Sequence, residues 1–137
     1  MATQIGCDGT MRALLDTNVL TNLHHKPTRL GRATQRSLRD ARALYFSPLT
    51  FFEWLQKDDY LGTSTKMLAE ATIKFGIEEL PLTAQAALEA RRFGSLRGSD
   101  PLDYLILAQA AEAGLFLYTA DRKLLGLDLD FVKDSSQ

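Results

Sequence analysis

The chain has 137 residues, 45% of them hydrophobic and 24% charged, with a net charge of −1 at neutral pH and one cysteine, Cys7. That length fits a single domain able to bury a core without metal or disulfide support, and one cysteine excludes an internal disulfide. No apolar run reaches the ~20 residues of a membrane span, the first ten residues lack the pattern of a signal peptide, and the net charge gives no whole-molecule attraction to nucleic acid. A soluble, cytoplasmic protein without membrane contact is expected, one that must hold any anionic partner through a local patch.

Residues 1–10 are polar and glycine-containing, and read as a flexible extension ahead of Met11, with residues 11–137 forming one domain. Ala13-Leu14-Leu15 reads as a short buried strand ending at Asp16-Thr17-Asn18, and Val19 to Leu23 as the start of a helix. Across residues 26–42, Arg29, Arg32, Arg36 and Arg39 are spaced three, four and three apart, which places them on one helical face. Ala43 to Phe46 reads as a second strand. Ser47-Pro48 then marks a helix start, because serine caps and proline suits the first turn.

A further helix fits Thr65 to Phe75 and stops at Gly76, and Ile77 to Leu82 reads as a third strand. Thr83 caps a helix expected to reach about Phe93, and Leu96 to Ser99 reads as a loop. Asp100-Pro101 opens the most apolar helix, Leu102 to Ala113, closed by Gly114. Leu115 to Tyr118 is a fourth buried strand ending at Thr119-Ala120-Asp121, followed by a short helical piece and a weak edge strand over Asp130 to Lys133. Strands alternating with helices predict an α/β fold with a mostly parallel sheet. In such sheets functional groups gather beyond the carboxyl ends of the strands.

Asp16 and Asp121 each follow a buried strand, so the two meet if the first and fourth strands are neighbours. Glu53 sits in Phe51-Phe52-Glu53-Trp54-Leu55, where the other four side chains are apolar. A carboxylate in that setting must be paired, exposed or bound to a cation. Asp103 follows the capping Asp100 by three residues, at the positive end of its helix. Acids at strand ends and helix starts suit a hard cation such as Mg²⁺, with Mn²⁺ expected to substitute. Such ions polarise a phosphodiester and help ionise the attacking water. Neither a zinc-type cysteine and histidine cluster nor a phosphate-cradling glycine loop is present.

With these residues in place, the sequence resembles the PIN-domain family, in particular its VapC-like toxins of bacterial toxin–antitoxin pairs. The carriers are Leu14-Leu15-Asp16-Thr17-Asn18-Val19-Leu20, the stretch from Ser47 to Glu53, the stretch from Asp100 to Ala110, and Tyr118-Thr119-Ala120-Asp121. The resemblance implies a PIN-like three-layer α/β/α sandwich with a central sheet of four to five strands. It also implies metal-dependent endoribonuclease activity, homodimers and inhibition by a small antitoxin. Carried over by position, Asp16, Glu53 and Asp103 match the family's main metal-site acids and Asp121 a more variable fourth. Thr17, Asn18 and Thr119 match supporting polar positions, with Asp100 beside them as the cap. The chain departs from the pattern at Tyr104, where many relatives carry arginine, and at Arg97-Gly98-Ser99, where a histidine is common.

Three alternatives stand beside that reading. An aspartate-nucleophile phosphatase would need a second acid two residues after Asp16, where Asn18 stands. A PIN-fold binding module without activity would have no physical reason to gather four acids. An RNA-processing nuclease without an antitoxin would share the chemistry and differ in its partners. The arginines at 29, 32, 36 and 39 are expected either to guide the RNA backbone, to hold an acidic antitoxin segment, or to form a solvated face.

Overall fold

In the computed structural model, which describes residues 10–57, 64–96 and 100–137, five strands form one sheet in the order β3-β2-β1-β4-β5. They are β1 (Arg12–Leu15), β2 (Ala43–Phe46), β3 (Glu78–Glu79), β4 (Phe116–Thr119) and β5 (Val132–Asp134). Every pairing is parallel. The central strand β1 is apolar along its length after Arg12, as a strand covered on both faces must be. Its side chains alternate between two cores. Ala13 and Leu15 join Val19, Leu20, Leu38, Trp54 and Leu68 on one face. Leu14 joins Ile106, Leu107, Ala110, Leu117 and Leu124 on the other. The result is the expected three-layer α/β/α sandwich.

The helices on the first face are α1 (Thr17–His25), α2 (Arg32–Asp40), α3 (Pro48–Gln56) and α4 (Thr65–Lys74). The second face carries α6 (Pro101–Ala113), with α5 (Ala84–Glu89) packed on it, and α7 (Arg122–Leu125). Their starts follow local chemistry. Ser47, Ser64, Thr83 and Asp100 each accept a hydrogen bond from a first-turn amide. Gly114 closes α6 with φ of 69°, a conformation that favours glycine.

Three expectations change in the folded chain. Ile77 to Leu82 contributes only the two residues of β3 to the ladder, although Leu80 still donates to the Phe46 carbonyl. The helix expected to reach Phe93 ends at Glu89 and continues as 3₁₀ turns through Leu96. Phe93 leaves helical geometry there and is buried in the second core. Burying an aromatic ring contributes about 2 kcal/mol, more than the regularity of one short turn.

The third change concerns the arginines. Arg29 lies in a separate 3₁₀ turn over Pro27–Arg29, and α2 starts afresh after Gly31, so the four do not share one helix. Gly31 donates to the Ser135 carbonyl, and the backbone of Ser136 and Gln137 passes so close that a Cβ at residue 31 has no room. The crossing of the carboxyl-terminal residues thus interrupts the stripe. The expected extension over residues 1–10, apart from Thr10, and the loop residues 97–99 lie outside the described residues. Among the described residues no helix is long and apolar enough to cross a membrane.

Candidate active site

β1 and β4 are neighbours in register, with Leu15 beside Tyr118. The chain leaves each strand at the same edge, and there β1 turns toward β2 on one side while β4 lies on the other. This is the point where the strand order reverses, and a crevice opens beyond it. Asp16 stands at its floor, 2% exposed. Its Oδ1 accepts from the Thr17 amide at 2.8 Å, and its Oδ2 accepts from the Thr119 hydroxyl at 2.6 Å and from Asn18 Nδ2 at 3.3 Å. Burial pushes the Asp16 carboxyl above its ordinary range, and the bonds from Thr119 and the Thr17 amide oppose that push.

The same polar residues tie the two strand ends together. Asn18 Oδ1 accepts from the Ala120 amide at 3.1 Å, and Thr119 Oγ1 accepts from the Asp121 amide at 2.9 Å. Asp121 then caps α7 through the Lys123 amide at 2.8 Å.

Glu53 reaches the crevice from α3 and is held by the Thr17 hydroxyl, which donates to Oε1 at 2.6 Å. The reading of Glu53 as a solvent-facing residue between apolar neighbours therefore fails, since its side chain is only 15% exposed. Asp103 enters from the first turn of α6, half-buried. Its carboxyl is pushed up to about 7, first by burial and then by the charges of Asp16, Asp121, Asp100 and Glu53. Asp100 caps α6 by accepting from the Leu102 amide at 3.0 Å. The acids named in the sequence therefore share one electrostatic environment. They line a cleft of about 740 Å³ together with Thr17, Asn18, Arg29, Trp54 and Lys57.

Among the described residues no three carboxylates, imidazoles or thiolates close tightly enough to cage an ion by themselves. A magnesium-type site does not require such a cage, because several waters stay on the ion and one or two carboxylates bind directly. The donor set is all oxygen, as a hard cation requires. Beyond burial, the rise at Asp103 comes from neighbouring negative charge, which a cation would relieve. The residues present fit such an ion.

Of the four arginines, Arg29 alone lines this cleft. Arg39 pairs with Asp40 at 3.3 Å and borders an apolar groove beside Leu38 and Phe75, and Arg32 and Arg36 are exposed on α2. Sequence reasoning missed two features. Lys57 Nζ stands 3.9 Å from Glu53 Oε2, a pairing visible in the four-residue spacing along α3. Trp54 Nε1 donates to Thr21 Oγ1 at 2.8 Å, joining α3 to α1 one turn beyond the Thr17 contact, which no local signal announced.

Comparison with known proteins identifies the family and agrees with the fold. The PIN-domain family model matches residues 13–128. Ribonuclease VapC22 of Mycobacterium tuberculosis (strain ATCC 25618 / H37Rv) is 29% identical over 114 residues, spanning 81% of this chain and 88% of that protein. Among solved structures, VapBC-1 from nontypeable Haemophilus influenzae aligns with TM-score 0.66 at 17% identity, over 93% of this chain and 100% of that one. A DNA-bound VapBC from Salmonella typhimurium aligns with TM-score 0.61 at 20% identity, over 90% of this chain and 96% of that one. A family model covering most of the sequence, on a parallel sheet of this order with acids at its reversal point, shows that the chain belongs to the PIN-domain family.

Proposed function

We propose that this chain is a Mg²⁺-dependent endoribonuclease, able to use Mn²⁺, and the toxin of a toxin–antitoxin pair. One observation carries the nuclease reading. Carboxylates from β1, α3, α6 and the β4–α7 turn meet in one cleft, where burial first and then its acidic neighbours push Asp103 up to about 7. Asp16, Glu53, Asp103 and Asp121 are the proposed ligands, directly or through water. The bound ion would neutralise phosphate charge and lower the proton affinity of the attacking water.

The chain's own residues do the rest. Asp16 is locked in place by Thr17, Asn18 and Thr119, so the site meets its ligand in a fixed geometry, as efficient sites do. The Thr17 hydroxyl orients Glu53. A carboxylate not occupied by the ion is placed to accept a proton from water. The toxin role draws support from the curated relative, a ribonuclease, and from solved neighbours described as VapBC or toxin–antitoxin complexes. The proposed partners are accordingly RNA as substrate, a small antitoxin protein as inhibitor, and a second copy of the chain in a homodimer.

The test is cleavage of total RNA by the purified protein with magnesium, with manganese and with EDTA, beside Asp16→Asn. Cleavage is expected with either metal and lost in the other two cases. Equal cleavage in EDTA or by the variant overturns the reading.

A further inference from the structure

A second depression of about 380 Å³ adjoins the acidic cleft and shares Glu53, Lys57 and Asp100 with it. Its remaining lining is of a different kind: Phe52 and Gln56 from α3, with Pro101 and Leu102 from α6. Residues 52, 53 and 56 fall on one side of α3 and Lys57 caps its end, so the helix runs from the acids to this apolar wall. Phe52 is 49% exposed. The other two rings of α3 are differently used. Phe51 stacks on Phe46 at 4.6 Å and on Trp54 at 5.6 Å, whereas Phe52 has no ring partner among the described residues. Lys57 stands at the border of the two depressions with its side chain 56% exposed, and among the described residues its ion pair is a 3.9 Å contact to Glu53.

We propose that this depression is a nucleotide subsite, in which a base beside the scissile phosphate stacks on Phe52 and Lys57 takes the adjoining phosphate. The proposal rests on the nuclease reading and adds the place on this chain where one nucleotide of the substrate is held. An open aromatic face next to a cation is the pairing that single-stranded nucleic acid binds, because every base has a face to stack and every linkage a charge to meet. A paired base is stacked within its helix and has no free face for Phe52. Lys57 is held loosely enough to move from Glu53 to a phosphate, and Glu53 keeps its bond from Thr17 when it does. Continuity with the acids ties the subsite to the cleaved linkage.

The test measures binding by fluorescence anisotropy, with a short labelled oligouridylate and with its duplex with oligoadenylate. Calcium is used as the cation, and the probes are checked intact afterwards. Phe52→Leu keeps bulk but loses the aromatic face, and is expected to weaken single-strand binding about fivefold or more, the lower end of what one stacked base contributes. Its duplex binding and salt slope should stay unchanged. Phe52→Trp should bind as the parent does. Lys57→Gln should flatten the single-strand salt slope by about 0.7, the value for one phosphate contact.

Equal loss for both probes, or no loss with Phe52→Leu, overturns the subsite. So does a change in sedimentation showing that Phe52 joins two copies of the chain. If the parent cleaves RNA and Asp16→Asn does not, while the Phe52 and Lys57 variants bind and cleave like the parent, only the subsite is wrong. If the parent neither binds nor cleaves RNA, the nuclease reading falls and the subsite falls with it.

Discussion

Asp16 and Asp103 face the same cleft and are held in opposite ways. Asp16 is almost fully buried, and three donors from its own strand end and from β4 surround its carboxylate. Asp103 is half-buried, and among the described residues nothing donates a hydrogen bond to its carboxylate. Its charge faces other acids. Burial raises both carboxyls, but at Asp16 the hydrogen bonds work against burial, whereas at Asp103 every further influence adds to it. One corner of the site is finished by the protein. On the proposed function, a cation would finish the other.

The largest effect is expected at the finished corner. Asp16→Asn keeps shape and removes charge, and should lower metal-dependent RNA cleavage by more than about a hundredfold, beyond what loss of an outer partner costs. Glu53→Gln and Asp103→Asn should do the same. Retained cleavage in any two of the three, measured on purified protein, would dissolve the proposed site.

A smaller loss is expected when only the support of Asp16 is removed. Thr119→Val is close in size but leaves the carboxylate without its shortest bond and the Asp121 amide without its acceptor. Cleavage should fall about 10- to 100-fold, as for an outer partner of a metal ligand, and stability by roughly 1–3 kcal/mol. If activity is unchanged while the melting temperature drops, the hydroxyl serves folding alone.

The unfinished corner should respond to ions. Magnesium binding only the native state should raise the melting temperature, with a stabilisation of about 2.7 kcal/mol at a hundred times the dissociation constant. Asp103→Asn should shrink that response. An identical shift in the variant places the ion elsewhere.

A subtler consequence appears in pH. The folded Asp103 carboxyl holds its proton up to about 7, against an ordinary value of 3.8. The native state therefore binds the proton more tightly than the unfolded chain. Its contribution to stability is complete below the ordinary value and is lost as pH rises through about 7. Without divalent cations, lowering the pH from about 8 to about 6 should thus favour the fold at this position. His24 acts in the reverse sense. Burial, and then His25, lower its pKa, so the stability it contributes is present above its ordinary 6.5 and is lost as pH falls below that through the lowered folded value. Comparing thermal unfolding of the parent with Asp103→Asn isolates the carboxyl, and parallel curves would remove the argument.

The smallest effects should come from the arginines. Arg29→Gln, at the cleft, should lower the salt slope of single-stranded RNA binding by about 0.7. The pair Arg32→Gln and Arg36→Gln should change it less, since the fold turns those residues away from the cleft lining. A larger effect from the pair would return the RNA path to the α2 face.

Much of this was legible along the chain because the relevant interactions are local. Capping residues, first-turn prolines and Gly114 set helix ends within a few residues of themselves, and alternating strand and helix patterns imply a parallel sheet. The positions of Asp16 and Asp121 after buried strands pointed to one edge of that sheet. Contacts between distant residues were not legible. Nothing near residue 17 announces that its hydroxyl meets Glu53, and the spacing of Arg29 with Arg32 gives no warning that the carboxyl-terminal backbone crosses at Gly31.

Local order in the sequence thus determined most of the elements and the sheet class and named the acids as candidates, since propensity, capping and hydrophobic period act over one or two turns. Only the tertiary structure decided that β1 and β4 lie side by side, that Asp103 sits among other acids with no donor among the described residues, and that Phe52 opens beside Lys57. Those facts depend on which surfaces pack across the sheet. The energies that settle such packing come from residues far apart in the chain.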